Sequence, residues 1–514
     1  MTDVPWRRRP SAALWVVAFG TFVAADDLMV VATMLRPIIG DLGLVVPDDL
    51  DDAAWIVNVY LIAYVAVMPL AGRISDVVGR RAVFVASMVI FAAGSIVVPM
   101  ADDLSTLLVG RVLTAVGGGA LVPLGLAVVS DRYEGGARLR GLGLLGAVET
   151  LGWVWGPLYG AILVRYLSWE WQFHLNVPLA IAGIVVGWLV LEPGRHEGSR
   201  IDWPGAVLLT VGLVALDVAL LDEARIQSVT GLDQLTGDDD GGIVGPWLYA
   251  VAAVALAGMV WRERVAPEPL LGLRSLGGRG VGAAVAINLV TGAALVIALV
   301  DVPLFINVVE GDIERGAVIA GWTLTALTAA MAVTSYLGGL VTERTWYRPP
   351  IVAGLVLAAV GLIAMGTRWT PDTSPWSMAV LLAVVGAGIG FVIAPTSAIV
   401  VDAAPPERRG AAASLVILFR LLGFSIGLAG LTAWGLRRFE ELRAGIELPP
   451  LGSDEYEDAA EAASIEITTE ALGETFLAAG FVAALGVLLA LTIRRTIARP
   501  APTAQPADEI EGAP

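Results

Sequence analysis

The sequence predicts an all-α membrane protein, and three observations lead to this prediction. The chain of 514 residues is 57% hydrophobic with a mean hydropathy of +0.77, far above the range of soluble domains. Its apolar residues are gathered in fourteen segments of about 17 residues or more, the length that a helix needs to cross a bilayer. The loops between these segments alternate between arginine-rich and acidic.

The apolar segments follow one another with mostly short connections. In chain order they cover about 12–35, 53–71, 82–100, 104–129, 141–164, 173–191, 203–221, 246–262, 280–309, 317–341, 350–367, 376–400, 410–436 and 473–495. Acidic runs such as Asp238 to Asp240 fall in every second loop, and most of the 32 basic residues, all arginine, fall in the others. Because arginine-rich loops stay in the cytoplasm, we predict a multi-pass protein of the inner cell membrane with both termini cytoplasmic.

Composition excludes several classes of function. The chain has no cysteine, which rules out disulfides, thiolate metal sites and cysteine nucleophiles. Its net charge of −17 argues against a nucleic acid partner. A chain without lysine cannot form the lysine-containing phosphate loop, so ATP drive is unsupported. His174 and His196 have no second ligand near them in the sequence, so we expect no metal site. We also expect no cofactor and no enzymatic activity.

The loop after the second segment, GRISDVVGRR, combines glycines with charged residues. Gly72 and Gly79 allow the chain to turn tightly between two helices. The carboxylate of Asp76, close to the guanidinium groups of Arg80 and Arg81, can hold neighbouring helix ends together through charge-assisted hydrogen bonds. We interpret the loop as one that controls conformation.

The fifth segment carries glycines at four-residue spacing. Gly152, Gly156 and Gly160 would let this helix approach a neighbour closely, and Pro157 would bend it. Tight packing explains the glycines without any other role.

Charged residues inside the first and fourth segments match in depth. Asp26 and Asp27 lie roughly 22 Å from the cytoplasmic side, and Arg111 lies roughly 10 Å below the outer surface of a core of about 30 Å. An ion pair between Asp27 and Arg111 is therefore sterically plausible. Successive helical residues point about 100° apart, so only one aspartate is expected to face a cavity. Both proton coupling and a purely structural ion pair fit the pattern.

Three further charged positions lie within segments. Glu149 and Arg420 both fall near the midplane, on segments that correspond in the two halves of the chain, and we favour a functional role for them. Asp301 either lines the cavity or caps the outer end of its helix, and the sequence leaves both open. Asp217, near the outer end of its segment, is expected to snorkel toward water.

Several motifs resemble known transporters. GRISDVVGRR resembles the loop between the second and third helices of the major facilitator superfamily, with Val77 in place of a basic residue. GAVETLGWVWGPLYG and WEWQFHLNVP, with Glu170 in place of an arginine, resemble its fourteen-helix drug:proton antiporter branch. LVDVPLF, VVATMLRPI, GPLYG and TAWGLRRF resemble the mycobacterial triacylglyceride transporters, which are encoded beside a lipid-carrying lipoprotein.

This resemblance implies the major facilitator fold with fourteen transmembrane helices. Two six-helix halves would cover residues 1–192 and 276–496, and two inserted linker helices would lie in 193–275. The proline-rich, acidic composition after Arg499 separately predicts a disordered cytoplasmic tail over 497–514. In the resembled family the first-helix aspartate matches Asp27 and an arginine matches Arg420. The fifth-helix glutamate of that family falls one place after Glu149, opposite Thr150.

The resemblance also implies a function. We predict a secondary transporter driven by the proton gradient that exports lipophilic molecules, most of all neutral lipid such as triacylglyceride, with a periplasmic lipoprotein carrier as a partner. The alternative is a multidrug:proton antiporter. A non-transporting receptor or scaffold is disfavoured, because it gains nothing from costly buried charges.

The last two segments predict an outer extension over about 437–472. No proline occurs from Gly410 to Leu448, and residues 454–476 are rich in alanine and glutamate. We expect the two helices to extend together beyond the outer membrane face. The residues expected to pair them are Phe439, Leu442, Ile465 and Leu472. A long, solvated acidic loop is the alternative.

Overall fold

The computed structural model describes residues 10–44, 50–194, 201–233, 247–272, 279–310, 313–445 and 456–494. In these residues the secondary structure is helical, without strands. The helices are α1 (Pro10–Asp41), α2 (Leu50–Val78), α3 (Arg80–Val97), α4 (Leu104–Arg132), α5 (Gly135–Tyr166), α6 (Glu170–Val190), α7 (Trp203–Asp233), α8 (Trp247–Val265), α9 (Arg279–Glu310), α10 (Ile313–Arg344), α11 (Arg348–Arg368), α12 (Pro375–Asp402), α13 (Arg409–Ala444) and α14 (Tyr456–Leu491). Each predicted apolar segment overlaps one of these helices, but the α7 helix continues to Asp233, well past its predicted end at 221, and α14 begins at Tyr456, well before its predicted start at 473.

The predicted count of fourteen membrane crossings is not confirmed. Within the described residues, twelve helices are long and apolar enough to cross a membrane, and α5 and α8 are not among them. The α8 helix has 19 residues and ends in Arg262, Glu263 and Arg264, which shortens its apolar part. The α5 helix carries Glu149 near its middle. The all-helical membrane fold is confirmed, and the count of fourteen crossings is not.

Local chemistry explains where several helices begin. The Asp103 side chain accepts a hydrogen bond from Thr106 N at 2.9 Å and caps α4. Ser374 caps α12 in the same way, and Pro375 follows in the first turn, where its missing N–H costs nothing. Between α2 and α3, Gly79 has a φ of 106°, a conformation that only glycine adopts readily.

The helices form two groups of six with a pair between them. Helices α1 to α6 pack among themselves, and so do α9 to α14; the groups meet where α5 packs on α10 and α2 packs on α13. Helices α7 and α8 pack on each other, joined by an ion pair between Asp202 and Arg262 at 3.0 Å. Helix α7 also contacts α2 and α13, so the inserted pair lies against the boundary between the two groups.

The glycines of α5 bring this helix close to α1. A Cβ atom at Gly156 would lie 2.9 Å from the carbonyl oxygen of Asp26, and one at Gly152 would lie 2.7 Å from Cβ of Ala25. A Cβ at Gly160 would press on Thr33. Side chains at these positions would push the helices apart, which is the packing role that the spacing predicts. Pro157 lies within α5, and the bend that it was expected to cause stays a prediction.

Helices α13 and α14 are the longest, with 36 residues each. The apolar part of α13 ends at Gly430, and that of α14 begins at Ala462. Arg438, which follows the apolar part of α13, pairs with Glu474 of α14 at 3.0 Å and with Glu470 at 3.4 Å, and both glutamates lie within the first turns of the apolar part of α14. The continuous helices agree with the predicted extension, although ion pairs join them there. Pro449 and Pro450, both termini and the acidic run Asp238 to Asp240 lie outside the described residues.

Candidate functional site

Asp27 of α1 and Arg111 of α4 form a buried ion pair. The distance from Arg111 Nη1 to Asp27 Oδ2 is 3.2 Å, and both side chains are at most 1% exposed. The guanidinium group also donates to the carbonyl oxygen of Ile56 at 3.4 Å and stacks over the ring of Tyr60 at 4.1 Å. These contacts hold the arginine in place inside the first group of helices.

Helix α6 gives the two adjacent aspartates different hydrogen-bond partners. Gln172 donates to Asp26 Oδ2 at 3.0 Å, whereas Asn176 donates to Asp27 Oδ1 at 3.1 Å. Asp26 is also buried, so the two carboxylates differ in partner rather than in exposure. Sequence reasoning did not select Gln172 and Asn176. The sequence did contain a signal for them. Two amide side chains four residues apart on an apolar helix share a helix face, and together they can bind buried polar groups of a neighbouring helix.

Glu149 of α5 and Arg420 of α13 form a second buried ion pair, and this one joins the two groups of helices. Arg420 Nη2 lies 2.6 Å from Glu149 Oε1, and both side chains are less than 10% exposed. The guanidinium lies 5.7 Å from the ring centroid of Trp153, which packs edge-to-face on Phe424 at 6.0 Å. Thr150 donates to the carbonyl oxygen of Gly146 within its own helix, so Glu149 rather than residue 150 makes the pair.

The GRISDVVGRR motif is not the predicted loop, because residues 72–78 form the end of α2 and Gly79 alone separates it from α3. The motif binds the start of α13. Asp76 accepts hydrogen bonds from the backbone N–H groups of Gly410 at 2.8 Å and Ala411 at 3.0 Å. Arg80 lies 2.7 Å from the same carboxylate. A Cβ atom at Gly72 would overlap the carbonyl oxygen of Gly410, so only glycine permits this approach. The carboxylate therefore sits at a helix N-terminus, where backbone dipoles favour negative charge.

We call the end of the bundle that carries the GRISDVVGRR motif the motif end, and the opposite end the distal end. Three more ion pairs join the two groups of helices at the motif end. They are Arg409–Asp131 at 3.2 Å, Arg140–Glu343 at 3.0 Å, and Arg138–Asp402. Arg81 has a different place, because it donates to the carbonyl oxygen of Trp188 and stacks on that ring within the first group. These ion pairs and the hydrogen bonds of Asp76 hold the two groups together at the motif end, and we call this set of contacts the clamp.

The loop from α8 to α9 also enters this clamp. Arg73 of α2 lies 3.7 Å from Glu268, and Arg408 donates to the carbonyl oxygen of Pro269 at 3.1 Å. Leu270 and Leu271 are buried in the same core as α2 and α13. The inserted helices are therefore tied to both groups at the motif end.

Asp301, for which the sequence left two roles open, and Asp217, which was expected to snorkel, both have buried hydroxyl partners. Asp301 of α9 is 4% exposed and accepts a hydrogen bond from Thr475 of α14 at 2.8 Å, so it joins two helices of the second group. Asp217 does not snorkel: it is 2% exposed and accepts a hydrogen bond from Ser425 of α13 at 2.7 Å. Hydroxyl groups of neighbouring helices donate hydrogen bonds to these carboxylates, so both can be buried without contact with water.

Comparison with known proteins agrees with this architecture. The sequence model of the Major Facilitator Superfamily matches residues 17–428 and 290–512. The chain belongs to the major facilitator superfamily. A triacylglyceride transporter of Mycolicibacterium smegmatis is 32% identical over 95% of this chain and 88% of its own length.

A more distant relative and a solved structure are also similar to this chain. Multidrug resistance protein 3 of Bacillus subtilis is 29% identical over 80% of this chain and 76% of its own length. A proton:xylose symporter of the superfamily has a TM-score of 0.60, covering 93% of this chain and 94% of the symporter, at 11% identity. At that identity the likeness concerns the fold alone.

Proposed function

We propose that this protein is a proton-coupled antiporter that exports neutral lipid, such as triacylglyceride, from the inner membrane toward the periplasm. The observation that carries the proposal is the Glu149–Arg420 ion pair. It is buried, it lies between the two six-helix groups, and its carboxylate is a group that can gain and lose a proton. A charge pair at this place connects protonation to the relative position of the two groups.

The coupling works through the stability of this pair. When Glu149 takes up a proton, its attraction to Arg420 weakens, and the contact no longer holds the two groups together at the centre. When the proton leaves, the ion pair forms again and favours the clamped arrangement. Each protonation state thus favours a different access state. Asp27, paired with Arg111 inside the first group, is a second candidate for the coupling.

An uncharged, apolar substrate fits the surroundings of the ion pair. Trp153 and Phe424 lie about one turn beyond Glu149 and Arg420 on the distal side, and they pack on each other across the two groups. The adjoining core is formed by apolar side chains of both groups. The name of the Mycolicibacterium relative supports a triacylglyceride, and that of the Bacillus relative supports drug efflux as the second candidate.

The remaining parts of the proposal concern the membrane and a partner. We place the motif end and both termini in the cytoplasm, with fourteen crossings that include α5 and α8, because arginine-rich loops remain inside. The long α13 and α14 would then project on the periplasmic side. A lipoprotein with an apolar cavity is the partner that could receive lipid there.

Reconstitution into liposomes tests the proposal. Purified protein should transfer labelled triacylglyceride when a proton gradient is imposed, and Glu149→Gln should reduce gradient-driven transfer by at least about tenfold. Glu192→Gln is the matched control, because Glu192 is 65% exposed and its pair with Arg132 lies outside the bundle core. Transfer of cationic dyes without any binding or competition by triacylglyceride would replace the lipid proposal with drug efflux. Unchanged gradient dependence in Glu149→Gln would overturn the coupling.

A further inference from the structure

A small cavity lies beside the Glu149–Arg420 ion pair. Its volume is about 10 Å³, which is close to the space that one water molecule requires. Its walls come from α1, α4, α5, α12 and α13, and they include Glu149 and Arg420 themselves. Thr21 and Ser397 contribute hydroxyl groups to the lining.

The cavity lies on one side of the ion pair. In α5 and α13 its lining residues, Leu145 and Ile417, precede Glu149 and Arg420 along helices that begin at the motif end. Leu126 lines it from α4, which runs in the opposite direction and ends at the motif end. The cavity therefore occupies the space between the ion pair and the clamped end of the protein.

Two polar groups at this cavity lack a protein partner. Thr21 Oγ1 and Arg420 Nε are buried, and neither has a hydrogen-bond partner in the described part of the chain. The two side chains are 1% and 2% exposed. Leaving such groups unpaired is unfavourable, because each has lost its hydrogen bonds to water. A water molecule in the cavity would satisfy both: it can accept from the guanidinium N–H and exchange a hydrogen bond with the hydroxyl.

We propose that this cavity binds one water molecule that relays the proton between Glu149 and the motif end, and that Thr21 positions this water. The proposal deepens the proposed function and rests on Glu149 as the proton carrier. The water accepts the proton from the Glu149 carboxyl group and releases another of its protons to solvent once the two groups part at the motif end. The water is thereby restored, and Glu149 is left as a carboxylate beside Arg420. Arg420 accepts no proton, since its guanidinium stays charged.

The test compares hydroxyl-removing variants at two neighbouring sites. Thr21→Val keeps the shape of the side chain but removes the hydroxyl group, and Thr21→Ser restores it. Thr150→Val is the matched control, because the Thr150 hydroxyl is next to Glu149 yet already donates to Gly146 at 2.8 Å and is absent from the cavity lining. The readout is the rate of proton movement in liposomes that contain a pH-sensitive dye, together with triacylglyceride binding and thermal unfolding.

Thr21→Val should slow proton movement by about tenfold while lipid binding and unfolding temperature stay unchanged. Thr21→Ser should return the rate to near that of the unmodified protein, and Thr150→Val should leave it unaltered. A density map of the unmodified protein that resolves buried water should contain a water about 2.8 Å from Thr21 Oγ1. This last measurement does not depend on how any variant folds.

Equal proton rates in Thr21→Val and the unmodified protein would overturn the water relay, and so would a cavity without water in such a map. These outcomes are distinct from failure of the proposed function. If Glu149→Gln abolishes gradient-driven transfer but Thr21→Val does not slow proton movement, only the relay is wrong. If Glu149→Gln retains coupling, the proposed function itself fails.

Discussion

At the scale of single residues, the two buried arginines differ in what they connect. Arg111 pairs with Asp27 inside the first group of helices, whereas Arg420 pairs with Glu149 across the two groups. A buried charge without its partner is strongly unfavourable, so removal of either carboxylate charge affects its arginine directly. The first pair therefore lies within one group, whereas the second can form only where the two groups are close together.

The first prediction separates Asp27 from Asp26. Asp27→Asn should abolish transport and lower the free energy of unfolding by about 3 kcal/mol, because Arg111 then lacks its counter-charge in a buried site. Asp26→Asn should have a smaller effect on both, since Asp26 contacts Gln172 and no arginine within hydrogen-bonding distance in the described residues. Transport of lipid in liposomes and thermal unfolding in detergent measure the two effects.

A double variant provides the control for this prediction. Asp27→Asn with Arg111→Gln removes both charges and should recover much of the lost stability without restoring transport. Full transport in Asp27→Asn would show that this carboxylate takes no part in coupling. Equal and complete loss of transport in Asp26→Asn would remove the distinction between the neighbours.

At the scale of helices, the contact of Asp76 with the start of α13 is one of the contacts that join the two groups at the motif end. Asp76→Asn should weaken the two charge-assisted hydrogen bonds to Gly410 and Ala411. A loss of about 2 kcal/mol would change the ratio of clamped to open molecules roughly thirtyfold. Because the chain has no cysteine, spin labels at Ala82→Cys and Thr345→Cys report the distance between the two groups at the motif end without background.

The expected result for Asp76→Asn is a second, longer distance between the labels. Glu343→Gln is the control, because its partly exposed ion pair with Arg140 at the same end should contribute little. An unchanged distance distribution in Asp76→Asn would mean that other contacts hold the clamp.

The extension of α13 and α14 leads to the third prediction. Helices of 36 residues are about 54 Å long, which exceeds the membrane core of about 30 Å. Hydrogen bonds to Glu474 and Glu441 raise the pKa of Arg438, so this residue stays charged and joins the two helices. Hydrogen exchange should be slow over 456–472 and faster in Arg438→Ala. Rapid exchange throughout 440–472 in the unmodified protein would rule out a paired extension.

At the scale of the whole molecule, the inserted helices α7 and α8 decide the topology. With fourteen crossings, tags placed at residue 2 and after residue 505 should both be accessible only from the cytoplasm. A tag in the 234–246 connection should be accessible only from outside. If α8 does not cross, the C-terminal tag would change sides relative to the N-terminal one, because the number of crossings would be odd.

The sequence by itself determined the helices and their order. Apolar segment length and the distribution of arginine are local properties, so the fourteen helices could be located from them without knowledge of packing. The matching depths of Asp27 and Arg111 also made their ion pair plausible from the sequence, since position along a membrane helix follows from a simple count of residues. The glycine spacing of α5 likewise predicted its close contact with a neighbouring helix, which the structure identifies as α1.

Only the tertiary structure decided which side chains from distant segments meet. Gln172 donates a hydrogen bond to Asp26, and Asn176 donates one to Asp27. Ser425 donates to Asp217, and the backbone N–H of Gly410 donates to Asp76. The cavity next to Thr21 depends on five helices at once. These contacts follow from the rotation and register of each helix against its neighbours. Close packing of many side chains sets those quantities together, and no single segment contains the information.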